Sequence, residues 1–181
     1  MIGNFIADSI KGKNYAGYND EIIYGIQLHR QIDEFTDNHE TVKKSKRRLS
    51  PKYGKYSSVI VDIYYDHFLA LGWKNYSDKD LKDFAEEVYK ILNTHQDILP
   101  QKIIEFLPYM VKQDWLYNYQ TLEGIDKSLK GMARRAKFDS HMELASTDLK
   151  RDHFLYEQEF ELFFPELIEF VGTLLKPFQQ S

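Results

Sequence analysis

Residues Val59 to Leu71 read V-I-V-D-I-Y-Y-D-H-F-L-A-L, a stretch of helical length whose uncharged side chains lie on all sides of the helix axis. A helix apolar on every face belongs inside a protein. Besides the tyrosines, only Asp62, Asp66 and His67 are ionisable here. Ionised carboxylates buried in such a helix cost on the order of several kcal/mol each unless a cation or strong donors compensate them, so something positive is expected close to Asp66. Asp62 and Asp66 are four residues apart, about 40° of rotation, and project to one side.

A second stretch, Asn19 to Asp37, reads N-D-E-I-I-Y-G-I-Q-L-H-R-Q-I-D-E-F-T-D. On a helical projection Ile22, Ile26, His29, Asp33 and Asp37 share one arc, which turns from aliphatic to His and Asp partway along. Tyr24, Leu28, Ile32 and Phe35 form a second apolar arc; Gln27, Arg30, Gln31 and Glu34 fill the solvated sector. An imidazole and a carboxylate one turn apart can ligate one metal, or the carboxylate can orient the imidazole. An ordinary His/Asp surface pair at helical spacing is the plainer alternative.

The rest of the chain also reads as helix, which makes the fold class all-α: a single-domain helical bundle over residues 1–181. Helical periodicity covers Ile2 to Lys11, Asp20 to Asp37, Glu40 to Leu49, Tyr56 to Leu71, Asp78 to Asn93, Gln101 to Lys112, Trp115 to Gln120, Leu122 to Lys137 and Thr147 to Leu175. Asn19, Ser77 and Thr147 are expected N-caps, Gly12 and Gly72 C-caps, and Pro165 is expected to kink or split the last helix. Asp148 to Phe154 repeats the D-x-x-x-D-H-F spacing of Asp62 to Phe68, but Lys150 and Arg151 mark it as a solvated helix start. Asp148 then reads as a charge favourable to a helix N-terminus.

At 181 residues the chain can bury a core without cross-links, and it has no cysteine, which removes thiol nucleophiles and thiolate zinc sites and suits a reducing cytoplasm. No apolar run approaches the roughly 20 residues that span a bilayer, and no basic region precedes an apolar signal core, so the expectation is a soluble, unexported protein without a membrane partner. The formal net charge of −4 conceals a run with no acid in which Lys43, Lys44, Lys46, Arg47, Arg48, Lys52 and Lys55 fall together. Overall acidity and the lack of a recognisable reading module argue against nucleic acid. An acidic protein partner fits better, the alternative being a solvated helix end.

Histidines and aspartates from several helices, with no thiolate, suit a hard or borderline divalent cation. Such a metal polarises a phosphoryl oxygen and lowers the pKa of water. Arg30, beside the His29/Asp33 arc, and Arg134 and Arg135, after Gly131-Met132-Ala133, are candidates to hold a phosphoester. The residues therefore favour a metal-dependent phosphoester hydrolase.

Gly3-Asn4-Phe5-Ile6-Ala7-Asp8, Gly25-Ile26-Gln27-Leu28-His29-Arg30-Gln31-Ile32-Asp33 with Thr36-Asp37, and Asp62 with Asp66-His67-Phe68-Leu69 and Trp73 together resemble the acyl carrier protein phosphodiesterases. Trp115-Leu116, Gly131-Met132-Ala133, Arg135 and Phe164-Pro165 continue the match along nearly the whole chain. That family is similar to the HD-domain metal phosphohydrolases, so the resemblance implies an HD-domain-like helical enzyme using a divalent metal, manganese first and magnesium second. It implies removal of the phosphopantetheine arm from holo acyl carrier protein. It also adds Asp8 to the expected ligands His29, Asp33 and Asp66, with His67 as ligand or proton-transfer group. Arg30, Arg135, Lys43, Lys44, Lys46, Arg47 and Arg48 are the expected substrate contacts. Members carry a further Asn-Phe-Leu-Ala-His segment before the Gly-Asn motif, and its histidine is expected to be another ligand. The alternatives are hydrolysis of a nucleotide or other small phosphoester, and a non-catalytic helical binding module.

Overall fold

The computed structural model describes residues 1–175, which form α1 (Ile2–Ile6), α2 (Asp20–Asn38), α3 (Glu40–Tyr53), α4 (Ser57–Leu71), α5 (Leu81–Thr94), α6 (Gln101–Lys112), α7 (Trp115–Asn118), α8 (Leu122–Arg135), α9 (Ala145–Arg151) and α10 (His153–Leu175). Among the described residues there is no strand, and no helix is long and apolar enough to cross a membrane. Asn19 caps α2 by accepting the Ile22 amide at 3.0 Å, as its position predicts. The N-cap expected at Ser77 lies instead at Asp80. Thr147 falls inside α9, and the break in the terminal helix comes at Asp152, while α10 continues through Pro165. The carbonyl that Pro165 leaves unbonded belongs to exposed Glu161, where water can satisfy it.

Two apolar clusters organise these helices. One is built from α3, α4, α8, α9 and α10 around Val42, Tyr64, Leu129, Leu149 and Tyr156; the other from α1, α2, α5 and α6 around Ile6, Ile26, Leu92 and Leu107. Nine of the 15 residues of α4 are buried. The helix is nevertheless not enclosed all round: Val59, Asp62 and Asp66 form an exposed stripe at a spacing of three and four residues. The expectation of buried aspartates is thus corrected, and no side-chain cation among the described residues forms an ion pair with Asp66.

Buried acids do exist, at positions that periodicity alone did not single out. Glu159 of α10, 3% exposed, accepts both guanidinium nitrogens of Arg48, at 2.8 and 2.6 Å, and the Ser45 hydroxyl at 2.5 Å. Burial alone would raise its pKa, but the bonds from Arg48 and Ser45 hold it below the ordinary value. Asp148, read from sequence as a solvated helix-end charge, is likewise buried and accepts from Lys52, Tyr53 and Arg151. The basic cluster is correspondingly less free than its sequence suggests. Lys43 pairs with Glu40, Lys44 with Glu159 and Lys46 with Asp37, whereas Arg47 is exposed and without an ion pair among the described residues. The cause is helical phase, since Arg48 lies one turn from buried Ser45 and turns to the same interior.

Removing Arg48 strands a buried carboxylate, so Arg48→Ala should cost about 3–5 kcal/mol in urea unfolding, against less than about 0.5 kcal/mol for Arg47→Ala. Equal losses would show that Glu159 does not depend on Arg48.

Candidate metal centre and adjoining cleft

Gly3 and Gly25 bring α1 against α2 at backbone distance. A Cβ on Gly3 would lie 2.0 Å from the Ile22 carbonyl oxygen, and one on Gly25 would lie 3.0 Å from both the Asn4 nitrogen and the Gly3 Cα. Only glycine permits this approach. The short helical turn after α1 then delivers Asp8 to the polar end of the α2 arc. Arg30 braces the chain beyond, donating to the Ile10 carbonyl at 2.9 Å and the Tyr15 hydroxyl at 3.0 Å. Its guanidinium is therefore committed to the protein, where the sequence suggested a phosphate contact.

His29 Nε2 lies 3.3 Å from Asp8 Oδ1 and 3.1 Å from Asp33 Oδ2. One ligand atom from each residue falls within 4.8 Å of the others. His29 is 22% exposed and both carboxylates reach solvent, so the cluster sits at an open edge and not in an apolar interior as the sequence implied. The hydrogen bond to Asp8 holds the His29 pKa above its ordinary value, with Asp33 adding to the effect; the same bond lowers Asp8. Asp33 is raised by partial burial.

Asp62 of α4 faces this cluster, and Asp66 lies one turn along, beside Asp62. Both reach solvent, yet crowding by surrounding protein, with neighbouring aspartates, pushes Asp62 up to about 6 and Asp66 up to about 7. Asp62 feels the charges of Lys46, Asp37, Asp33 and Asp8. Asp66 interacts with Asp62 on one side and Tyr119 on the other. Of the four expected ligands, the structure brings together Asp8, His29 and Asp33; Asp66 lies outside that triad, next to Asp62. Asp62, noticed in the sequence only as a partner of Asp66, is the carboxylate of α4 coupled to the triad.

His67 occupies a different environment. One residue along a helix is about 100° of rotation, which turns it from the Asp66 stripe into the core. It is 2% exposed, packs against Phe68 and His153, and its Nδ1 lies 2.7 Å from the Tyr119 carbonyl oxygen. Burial lowers its pKa and favours the neutral ring. This placement makes it a structural tie between α4 and the α7–α8 turn, in place of the expected ligand or proton-transfer group.

Beyond Tyr119 lies a cleft between α6, α7 and α8, lined in part by Lys102, Trp115, Ser128 and Arg135. Lys102 acts electrostatically on Asp8. Nothing in the local sequence around Lys102 signals this role, because the approach of α6 to Asp8 is purely tertiary.

Over residues 1–167 the chain matches the family described as acyl carrier protein phosphodiesterase. It is 30% identical over 170 residues to a protein of that name from Photorhabdus laumondii subsp. laumondii, covering 93% of this chain and 86% of the relative. Namesakes from Yersinia enterocolitica serotype O:8 and Escherichia coli O6:H1 are each 30% identical, over 169 and 175 residues, with 93% of this chain and 88% of the relative covered in both cases. No solved structure matches at a significant level.

Gly25→Ala should separate α1 from α2, with a net loss of about 1–2 kcal/mol after the helix-propensity gain and at least a tenfold weaker affinity for a divalent cation by calorimetry. Gly172→Ala, where a Cβ meets nothing within 4 Å, should be neutral or stabilising. Retained metal affinity in Gly25→Ala would show that the approach of α1 does not position Asp8.

The raised pKa of Asp66 has a definite sign. A folded-state value near 7, above the unfolded carboxylate value, means that ionising Asp66 destabilises the fold progressively as pH rises from about 4 to about 7. Asp66→Asn, melted in chelator, should match the wild type near pH 4 and melt higher above pH 7. A variant that melts lower throughout would reveal a stabilising partner for the carboxylate.

Proposed function

The chain belongs to the acyl carrier protein phosphodiesterase family, and from that membership and the site we propose that it hydrolyses the phosphodiester joining 4'-phosphopantetheine to holo acyl carrier protein, with a divalent metal, manganese before magnesium, held by Asp8, His29 and Asp33. The observation that supports the metal is the convergence of two carboxylates on one imidazole nitrogen, with Asp62 coupled to them and neither Asp62 nor Asp66 in an ion pair among the described residues. Oxygen and imidazole donors suit such a cation. When bound, the metal supplies charge to offset the phosphoryl oxygens and lowers the pKa of water.

The chain's own residues account for the remaining requirements. Asp66, whose carboxylate is made more basic by the crowding of surrounding protein, with like-charge repulsion from Asp62 adding to the effect, accepts the proton of the attacking water. The water oxygen bonds to phosphorus while the bond from phosphorus to the serine oxygen breaks. The serine oxygen leaves, taking its proton from solvent, which gives apo carrier protein and 4'-phosphopantetheine, and Asp66 returns the proton it accepted to solvent. Arg135, without an ion pair or hydrogen bond among the described residues, is available to the phosphate. The acidic carrier protein supplies complementary charge for the exposed cations, Arg47, Arg134 and Arg135 among them.

Mass spectrometry of holo carrier protein incubated with the enzyme should show loss of the phosphopantetheine arm. Chelation should abolish the reaction, added manganese should restore it, and His29→Ala should lower turnover at least about 100-fold while remaining folded. Undiminished cleavage by metal-free protein would remove the metal from the mechanism.

A further inference from the structure

The cleft beside Tyr119 has a volume of about 440 Å³, within the roughly 300–1,000 Å³ typical of small-molecule sites. Its apolar wall contains Phe106 and Trp115, whose rings stack at 6.1 Å with planes 13° apart. Its rim carries Lys102, Arg134 and Arg135, all exposed, and none of the three makes an ion pair or hydrogen bond among the described residues. That contrasts with Arg48 and Lys52, which the same fold holds against buried acids. A second hollow of about 550 Å³ shares Gln113, Trp115, Ser128 and Arg134 with the first and continues it past Asn118 and Thr121. Together the two form an elongated groove with an aromatic wall, amide and hydroxyl side chains along its length, and on its rim three cations without an ion pair among the described residues beside the exposed Glu105 and the Lys127–Glu123 pair.

None of the triad residues lines the groove, and the link between the two is electrostatic. Lys102 acts on Asp8, and Tyr119, which lines the groove, interacts with both Asp66 and Arg135. A ligand that fits is a linear chain with amide groups and a phosphate at the end facing the triad. Resting on the hydrolase reading above, we propose that this groove seats the pantetheine arm of the substrate, with Arg135 and Lys102 on its phosphate and the Phe106–Trp115 wall along its amide chain. Arg135 acts as a binding residue for the phosphate, and Gly131 leaves room for the arm. A Cβ at Gly131 would meet only the Arg135 guanidinium, at 3.5 Å, so a larger side chain there enters the groove without disturbing the helix packing.

Calorimetry with 4'-phosphopantetheine and with phosphate-free pantetheine, on metal-free full-length protein, tests the assignment. Arg135→Gln should weaken 4'-phosphopantetheine at least tenfold and change pantetheine less than twofold. Gly131→Leu should weaken both at least tenfold, with thermal melting to confirm the fold and Ser128→Leu as a second obstruction. If both obstructing variants bind both ligands as the wild type does, the groove assignment is overturned. Cleavage of holo carrier protein by the wild type alongside that result would leave the hydrolase reading standing. Loss of binding in the variants, with no cleavage by the wild type, would sustain the groove assignment and overturn the hydrolase reading instead.

Discussion

The backbone contact between Gly3 and Gly25 governs the geometry of the site. Most helix pairs are separated by interdigitating side chains, with axes about 8–10 Å apart. Here α1 and α2 meet where a Cβ on Gly3 would fall 2.0 Å from a carbonyl oxygen, so the two backbones are in direct contact. Asp8 reaches the ring of His29 because of that approach, and Arg30 then secures the following chain through Ile10 and Tyr15. A short, mostly solvent-exposed carboxylate on a short helical turn is thereby placed with tertiary precision.

The molecule contains its own comparison for judging the aspartates. Glu159 and Asp148 are structural acids, and each receives three donors, with an arginine among them, before it is buried. Asp62 and Asp66 receive no comparable treatment: their pKa values rise because crowding and mutual repulsion go uncompensated. Lys46, held by Asp37 at 2.6 Å, is the cation that offsets Asp62 in part. A protein that satisfies its core acids so fully and leaves these unsatisfied has a negative potential at one place on its surface, as expected where a multivalent cation and a developing phosphoryl charge are to meet.

Much of this was legible in the sequence, for identifiable reasons. The α2 arc of Ile22, Ile26, His29, Asp33 and Asp37 depends only on helical phase, and the structure keeps the aliphatic end of that arc inside while its polar end opens to the cluster. Helical phase also explains the errors. It placed Asp62 and Asp66 on one side of α4 but does not reveal which side faces water, and it treated adjacent Asp66 and His67 as one motif although they point into different environments. Glu159 and Asp148 looked unremarkable because their partners are 111 and 96 residues away along the chain. In the basic run from Lys43 to Arg48, Lys44 and Arg48 looked free for the same reason, whereas the partners of Lys43 and Lys46, Glu40 and Asp37, lie just upstream of the run. Lys102 carried no local signal, since its significance depends on α6 packing near Asp8.

The hydrogen bond from His67 to the Tyr119 carbonyl gives α4 two mechanical duties. One side of a single helical turn carries the exposed Asp66; the next side is fastened to the segment that walls the groove. A displacement of α4 would therefore be felt at both the carboxylate and the wall. If the groove seats the arm and Asp66 accepts the proton, a poorly fitting arm would disturb the chemistry too, and selectivity would be expressed in the rate of the bond-breaking step as well as in occupancy.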